Sequence, residues 1–180
     1  LTLEANKTST INPAPLEVGV GQVVKTYDGT VSAAATALKL SGVLYNNDAL
    51  AGGVFTFSDP NASDNKTVGV SGVRVRDRND GNNTANYAIT YTPNFTSQIK
   101  RAPLNVTVNQ VVKTYDGTDA ISGFPVTIKD RIFGGDSLVS GVASFADRNA
   151  GDNKTVTVKG MRVIDGITRS ESSNYDLTVV

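Results

Sequence analysis

An eight-residue stretch occurs twice in this chain of 180 residues, as Val23-Val24-Lys25-Thr26-Tyr27-Asp28-Gly29-Thr30 and as Val111-Val112-Lys113-Thr114-Tyr115-Asp116-Gly117-Thr118. The same offset of 88 runs through the whole sequence without a gap: aligning residues 11–92 on 99–180 gives 36 identities in 82 positions. Such agreement marks a tandem duplication, so two copies of one unit must share one fold. A unit of this size is near the lower limit for a self-sufficient core.

Each octet is a run of β-branched and aromatic residues entering an Asp-Gly turn, where glycine accepts positive φ and aspartate bonds back to its own backbone. The spacing predicts a strand over each octet. Before it, Leu16-Glu17-Val18-Gly19-Val20 and Leu104-Asn105-Val106-Thr107-Val108 alternate as half-buried strands do. Pro15 and Pro103 belong to Ile11–Leu16 and Ile99–Leu104, which read as stiff extended joints.

Residues 31–40 include an alanine-rich run that favours a helix, but the matching residues 119–128 contain Gly123 and Pro125. Both would disrupt a helix, so each stretch is read as loop plus strand. Asn46-Asn47-Asp48 matches Gly134-Gly135-Asp136, and only Asn and Gly adopt a left-handed backbone readily, which predicts a tight turn. Further strands are expected at Val54–Phe57 and Val142–Phe145, at Thr67–Val70 and Thr155–Val158 with a bulge or bend at Gly72 and Gly160, and after each Asn-Tyr pair, Asn86-Tyr87 and Asn174-Tyr175. Tyr87, Ile89 and Tyr91 then fall on one face of the last strand. Residues 77–85 and 165–173 read as surface loops.

The expected class is all-β: two tandem small β-sandwich-like repeats, Ig-like or a related mixed β fold, arranged end to end. The expected division is residues 1–10 as the remnant of an upstream repeat and a connector, 11–98 as the first repeat and 99–180 as the second. The first part of that reading rests on Leu1-Thr2-Leu3, which aligns with Ile89-Thr90-Tyr91 and Leu177-Thr178-Val179.

Composition narrows the function. There is no cysteine and no histidine, which removes disulfides, thiolate zinc sites and the usual general base. Lysine plus arginine and aspartate plus glutamate number 17 each, so no basic excess points to nucleic acid. No apolar run reaches the length of a membrane span, and no membrane contact by this segment is expected. No enzyme fingerprint is present, and neither catalysis nor a cofactor is expected.

The order Lys25-Thr26-Tyr27-Asp28-Gly29-Thr30, a Gly- or Asn-rich turn ending in Asp, Phe57-x-Asp59-x-Asn61, Asn65-Lys66-Thr67-Val68 and Asn86-Tyr87 resembles the YDG or MBG-type repeat of large secreted bacterial adhesins, including filamentous-haemagglutinin-like exoproteins. The resemblance covers both copies nearly end to end. It implies a secreted, non-enzymatic stalk at the bacterial cell surface or in a biofilm matrix, holding an adhesive tip away from the cell. Its expected partners are neighbouring repeats of the same chain, and extracellular polysaccharide or a host glycan.

Three sets of residues are candidate sites. Lys25, Tyr27, Asp28 and Gly29, with Lys113, Tyr115, Asp116 and Gly117, form the repeat signature; an aromatic ring beside a carboxylate can hold a sugar, while the bland reading is a packed ring and a turn. Asp59, Asn61 and Asp64, with Asp147, Asn149 and Asp152, alternate as calcium ligands do, but the expected Gly is displaced, no Glu completes either loop and Lys66 and Lys154 sit close by, so no metal is expected. Seven Asn-x-Ser/Thr sequons begin at Asn6, Asn61, Asn65, Asn82, Asn94, Asn105 and Asn153 and are candidates for glycosylation.

Overall fold

The computed structural model describes residues 8–34 and 38–180, and the described chain is all-β. The reading of Leu1-Thr2-Leu3 and most of the expected connector lie outside the described residues. Thr8, Ser9 and Thr10 are exposed and belong to no strand.

In the first repeat the strands are β1 (Ala14–Val20), β2 (Val24–Thr26), β3 (Leu38–Gly42), β4 (Ala49–Phe57), β5 (Ser63–Arg76), β6 (Tyr87–Thr92) and β7 (Asn94–Lys100). The second repeat has β8 (Ala102–Val108), β9 (Ala120–Ile121), β10 (Val126–Ile128), β11 (Ser137–Val139), β12 (Val142–Phe145), β13 (Val156–Lys159), β14 (Arg162–Ile164) and β15 (Tyr175–Val179). Two compact units emerge. One takes the chain up to Val23, Val31–Ser58 and Asn65–Gln98; the other takes Val24–Thr30, Asp59–Asp64 and Ile99–Val180.

In the first unit, β1 is the central strand of a mixed sheet, antiparallel to β3 and parallel to β6. A parallel neighbour needs a long crossover, and here the β4–β5 hairpin supplies it in place of a helix. Leu16, Val18 and Val20 point from β1 into the core, which also buries Phe55, Phe57, Val68, Val70, Val73, Val75 and Tyr87. The alternation read from the sequence therefore marks the buried face of a central strand. The second unit repeats the plan: β8 pairs with β10 and β15, and Ala102, Leu104 and Val106 are buried.

Register repeats as well. Ala14 pairs with Tyr87 and Ala102 with Tyr175; Phe57 pairs with Val68 and Phe145 with Val156. At the glycines expected to bulge or bend, the pairing on either side keeps its register, so the feature is a bend. Gly72 and Gly160 both have positive φ, +66° and +72°. In the second repeat the bend divides the hairpin into β12–β13 and β11–β14.

Asn46 and Asn47 take φ of +53° and +61°, matched by Gly134 and Gly135 at +64° and +79°, as the Asn-for-Gly exchange requires. Pro15 and Pro103 lie inside β1 and β8, so the expected joints are partly strand. Each proline stands outside the segment paired with the antiparallel neighbour, where a missing donor is tolerated.

One expectation fails. The octets predict two equal strands, but only Val24–Thr26 forms one, and residues 111–118 contain none. The reason is the partner. Around the first octet, the Gln22 side chain donates to the Thr96 carbonyl (2.7 Å), Val23 N–H to Ser97 Oγ (3.0 Å), Gln98 N–H to the Val23 carbonyl (2.9 Å) and Tyr27 N–H to the Lys100 carbonyl (2.8 Å). Among the described residues no strand pairs with residues 111–118.

Candidate functional site: a tyrosine socket

The signature residues first build a local clip. Lys25 Nζ donates to Asp28 Oδ1 (2.7 Å) and to the Thr30 carbonyl (2.7 Å), while Thr30 N–H and hydroxyl both reach Asp28 Oδ1 at 2.9 Å. In the second copy Lys113, Asp116 and Thr118 repeat the arrangement, with Lys113 also reaching the Ala120 carbonyl at 2.7 Å. Gly29 and Gly117 close the turns at φ +76° and +80°. The Lys113 ammonium, then the Thr118 N–H and hydroxyl, hold the Asp116 carboxyl down to about 2. Burial pulls Asp28 upward, but Lys25 and Thr30 together outweigh it and leave its pKa lowered.

The clip aims Tyr27 into a socket within the second unit. The ring meets Tyr175 edge-on at 5.4 Å between centroids and Phe133 edge-on at 6.1 Å, and the hydroxyl donates to Asp136 Oδ2 at 3.3 Å. Turn geometry makes the close approach possible: a Cβ on Gly134 would stand 3.1 Å from the Tyr27 hydroxyl, and one on Gly29 2.9 Å from the Gly134 nitrogen. Tyr175 is itself anchored, its hydroxyl accepting from Phe133 N–H at 2.8 Å, and Asp136 Oδ1 accepts from Gly166 N–H at 2.9 Å. Burial and the neighbouring Asp136 raise the pKa of Tyr27, and Tyr175 is raised too, chiefly by burial. Beside the socket, Asn174 is 2% exposed; it accepts from Ala62 N–H at 2.8 Å and donates to Asn61 Oδ1 at 3.2 Å.

Identical signature residues thus have unequal fates. Tyr27 is 4% exposed and offers no ring face to a sugar, whereas Tyr115 is 63% exposed. Tyr115 borders an open groove of about 950 Å³ lined by Val111, Val112, Phe145, Val156 and Val158 among others. The first unit repeats the socket residues as Tyr45, Asp48 and Tyr87, where the Tyr87 hydroxyl accepts from Tyr45 N–H at 2.9 Å. Tyr45 is exposed, Asp48 is buried, and Asp48 Oδ2 accepts from the Tyr87 hydroxyl (2.8 Å) and Asn83 Nδ2 (2.6 Å). The other oxygen, Asp48 Oδ1, is buried without a hydrogen bond.

The calcium-like loops are side-chain-closed turns. Asp59 Oδ1 accepts from Asn61 N–H (2.9 Å) and Asp147 Oδ1 from Asn149 N–H (2.8 Å), and Lys154 Nζ lies 2.5 Å from Asp147 Oδ1. That ammonium, then the Asn149 N–H, lowers the Asp147 pKa. No clusters of three acidic residues suited to a metal occur among the described residues. Asp64 and Asp152 are exposed.

Of the sequons, Asn6 lies outside the described residues. Asn61, Asn65, Asn82 and Asn153 are exposed, Asn65 and Asn153 with left-handed backbone. Asn94 is turned back on Thr96 and Ser97, and Asn105 is spent on Asp130 through its N–H and Nδ2, both at 2.7 Å. Sequence reasoning did not single out Phe133, Asp136, Asn174 or Tyr175 as a site. The available signal was identity between the copies at Asp48/Asp136 and at both Asn-Tyr pairs.

A twice-repeated all-β unit whose signature tyrosine is buried in one copy and exposed in the other defines a tandem repeat domain. The chain matches the YDG domain at residues 12–94 and again at 99–180, and it belongs to that family. No curated protein and no solved structure matches it.

Proposed function

We propose that the two YDG repeats are structural spacers of a secreted bacterial surface or biofilm-matrix adhesin, acting outside the cell, without catalysis, to project an adhesive tip. The observation that supports this reading is the burial of Tyr27 between Phe133, Tyr175 and Asp136: the most recognisable signature residue serves packing and is closed to an outside ligand. The partners in this reading are neighbouring repeats of the same chain. Small-angle scattering tests it. A maximum dimension matching two units in line, unaltered by calcium, is the expected result; a compact particle argues against a spacer.

A second reading, a glycan-binding module, draws on the exposure of Tyr115 beside an open groove. It predicts saturable binding of extracellular polysaccharide or host glycan that is lost in Tyr115→Ala with the melting temperature unchanged. No binding across a glycan panel would remove this reading.

A further inference from the structure

We infer that a cleft at the open end of the β4–β5 hairpin, in the first repeat alone, is a binding site for a calcium ion. The cleft lies wholly within the first unit, and the inference stands apart from the spacer reading. Sheet register brings two carboxylates together there. Ala49 pairs with Arg76, so one step further out Asp48 and Asp77 stand opposite each other. Like charges at opposed positions repel, and a cation between them turns that repulsion into attraction.

An orphaned oxygen points to the same ligand. Asp48 is only 8% exposed, and its Oδ2 accepts from the Tyr87 hydroxyl and Asn83 Nδ2. Among the described residues its Oδ1 is buried with no hydrogen bond. A buried carboxylate oxygen left unpaired is costly, and a bound cation relieves that cost. In the second repeat the matching oxygen, Asp136 Oδ1, accepts from Gly166 N–H at 2.9 Å. Arg78 holds the Gly166 position in the first repeat, but there the loop closes on itself. Asp77 Oδ1 accepts from Asn79 N–H at 2.8 Å and Gly81 N–H at 2.9 Å, which leaves Asp77 Oδ2 as a ligand.

The donor set defines the ion. Beside the two aspartates the cleft, about 410 Å³, is lined by Asn46, Asn47, Asn79 and Asn83. The second repeat has Gly134, Gly135, Ile167 and Glu171 at those positions. Asn46 and Asn47 keep the left-handed turn that the glycines make, and each adds an amide oxygen that glycine lacks. Carboxylate and amide oxygens suit a hard cation; calcium takes about six to eight oxygens in adaptable geometry, whereas magnesium demands a near-ideal octahedron. Arg78 also lines the cleft; it is exposed and makes no ion pair among the described residues. Its charge opposes the ion. With two carboxylates and that opposition, the site belongs with the weak calcium sites of extracellular modules, at about 10⁻⁴–10⁻³ M.

Titration of the intact chain with calcium chloride, followed by amide NMR, tests the inference. The expected result is saturable shifts at Asp48, Asp77 and Asn83 with a Kd of about 10⁻⁴–10⁻³ M, and none at Asp136 or Asp165. Asp77→Asn keeps an acceptor for the Asn79 and Gly81 amides and removes one charge. It should weaken binding about tenfold or more while leaving the calcium-free spectrum otherwise unchanged. Arg78→Gln, at an exposed position, should tighten binding about twofold or more. No saturation by about 10 mM calcium, equal shifts in both repeats, or an affinity indifferent to both substitutions would each overturn it.

Discussion

Tyr27 donates its hydroxyl to Asp136 at 3.3 Å, across 109 residues of sequence and from the first repeat into the unit formed chiefly by the second. The repeat seen in the sequence and the compact unit seen in space are therefore cut at different places. A signature residue of one copy completes the core that the next copy begins.

That relationship separates two identical residues by experiment. Tyr27→Ala removes a buried ring with two edge-on aromatic neighbours and should cost about 3–5 kcal/mol, while Tyr115→Ala at an exposed position should stay within about 0.5 kcal/mol. Urea unfolding of the two variants measures the difference. Equal costs would mean that Tyr27 does not occupy the socket in solution.

Ser97 is fully buried, accepting from Val23 N–H at 3.0 Å and donating to Asn94 Oδ1 at 2.7 Å. Ser97→Ala strips both interactions at one site and should destabilise the first unit by about 1–3 kcal/mol. Amide exchange at Val23 should accelerate in step. A protected Val23 amide in the variant would show that another acceptor serves it.

Two glycines with nearly equal φ should respond unequally to a methyl group. Gly160, at φ +72°, has nothing within 4 Å of an added Cβ, so Gly160→Ala should cost about 1–2 kcal/mol for the left-handed backbone alone. At Gly141, φ +75°, the Cβ would lie 2.3 Å from the Lys159 carbonyl oxygen and 2.7 Å from the Met161 nitrogen. Those atoms are backbone and cannot swing away, so Gly141→Ala should cost about 3 kcal/mol or more. Thermal melts of the pair decide it, and a Gly141 variant no worse than the Gly160 variant would contradict the tight approach.

The clip and the socket respond at opposite ends of the pH scale. Asp116 has a folded pKa of about 2, below its ordinary 3.8, so its contribution is present above the unfolded value and is lost as pH falls through about 2. Tyr27 and Tyr175 are raised above 10, so the stability tied to their neutral forms is present below about pH 10 and is lost as pH rises beyond it. Carboxyl-detected NMR should place the Asp116 midpoint near 2. A midpoint near 4 would mean that the clip does not persist in water.

Much of the fold was legible because local chemistry fixes it. Asp-Gly and Asn-Asn or Gly-Gly turns announce positive φ, the Leu-x-Val-x-Val alternation announces a strand with one buried face, and Gly123 and Pro125 remove the helix that an alanine run suggests. A single sequence carrying two copies also supplies its own control, since each copy vetoes misreadings of the other. The strand expected at the second octet did not form for a physical reason: a strand exists only with a partner, and the partner of Val24–Thr26 is a segment 70 residues away.

What the sequence determined by itself is the repeat, its all-β character, its turns and the absence of thiol and imidazole chemistry, all of them consequences of residue type and spacing. Only the tertiary structure decided that Tyr27 is buried and Tyr115 exposed, or that Asp136 is filled where Asp48 has an unpaired oxygen. The two octets are identical letter for letter, so nothing within them can distinguish their fates. Burial depends on which distant strand and socket lie against each octet, and those neighbours belong to the fold.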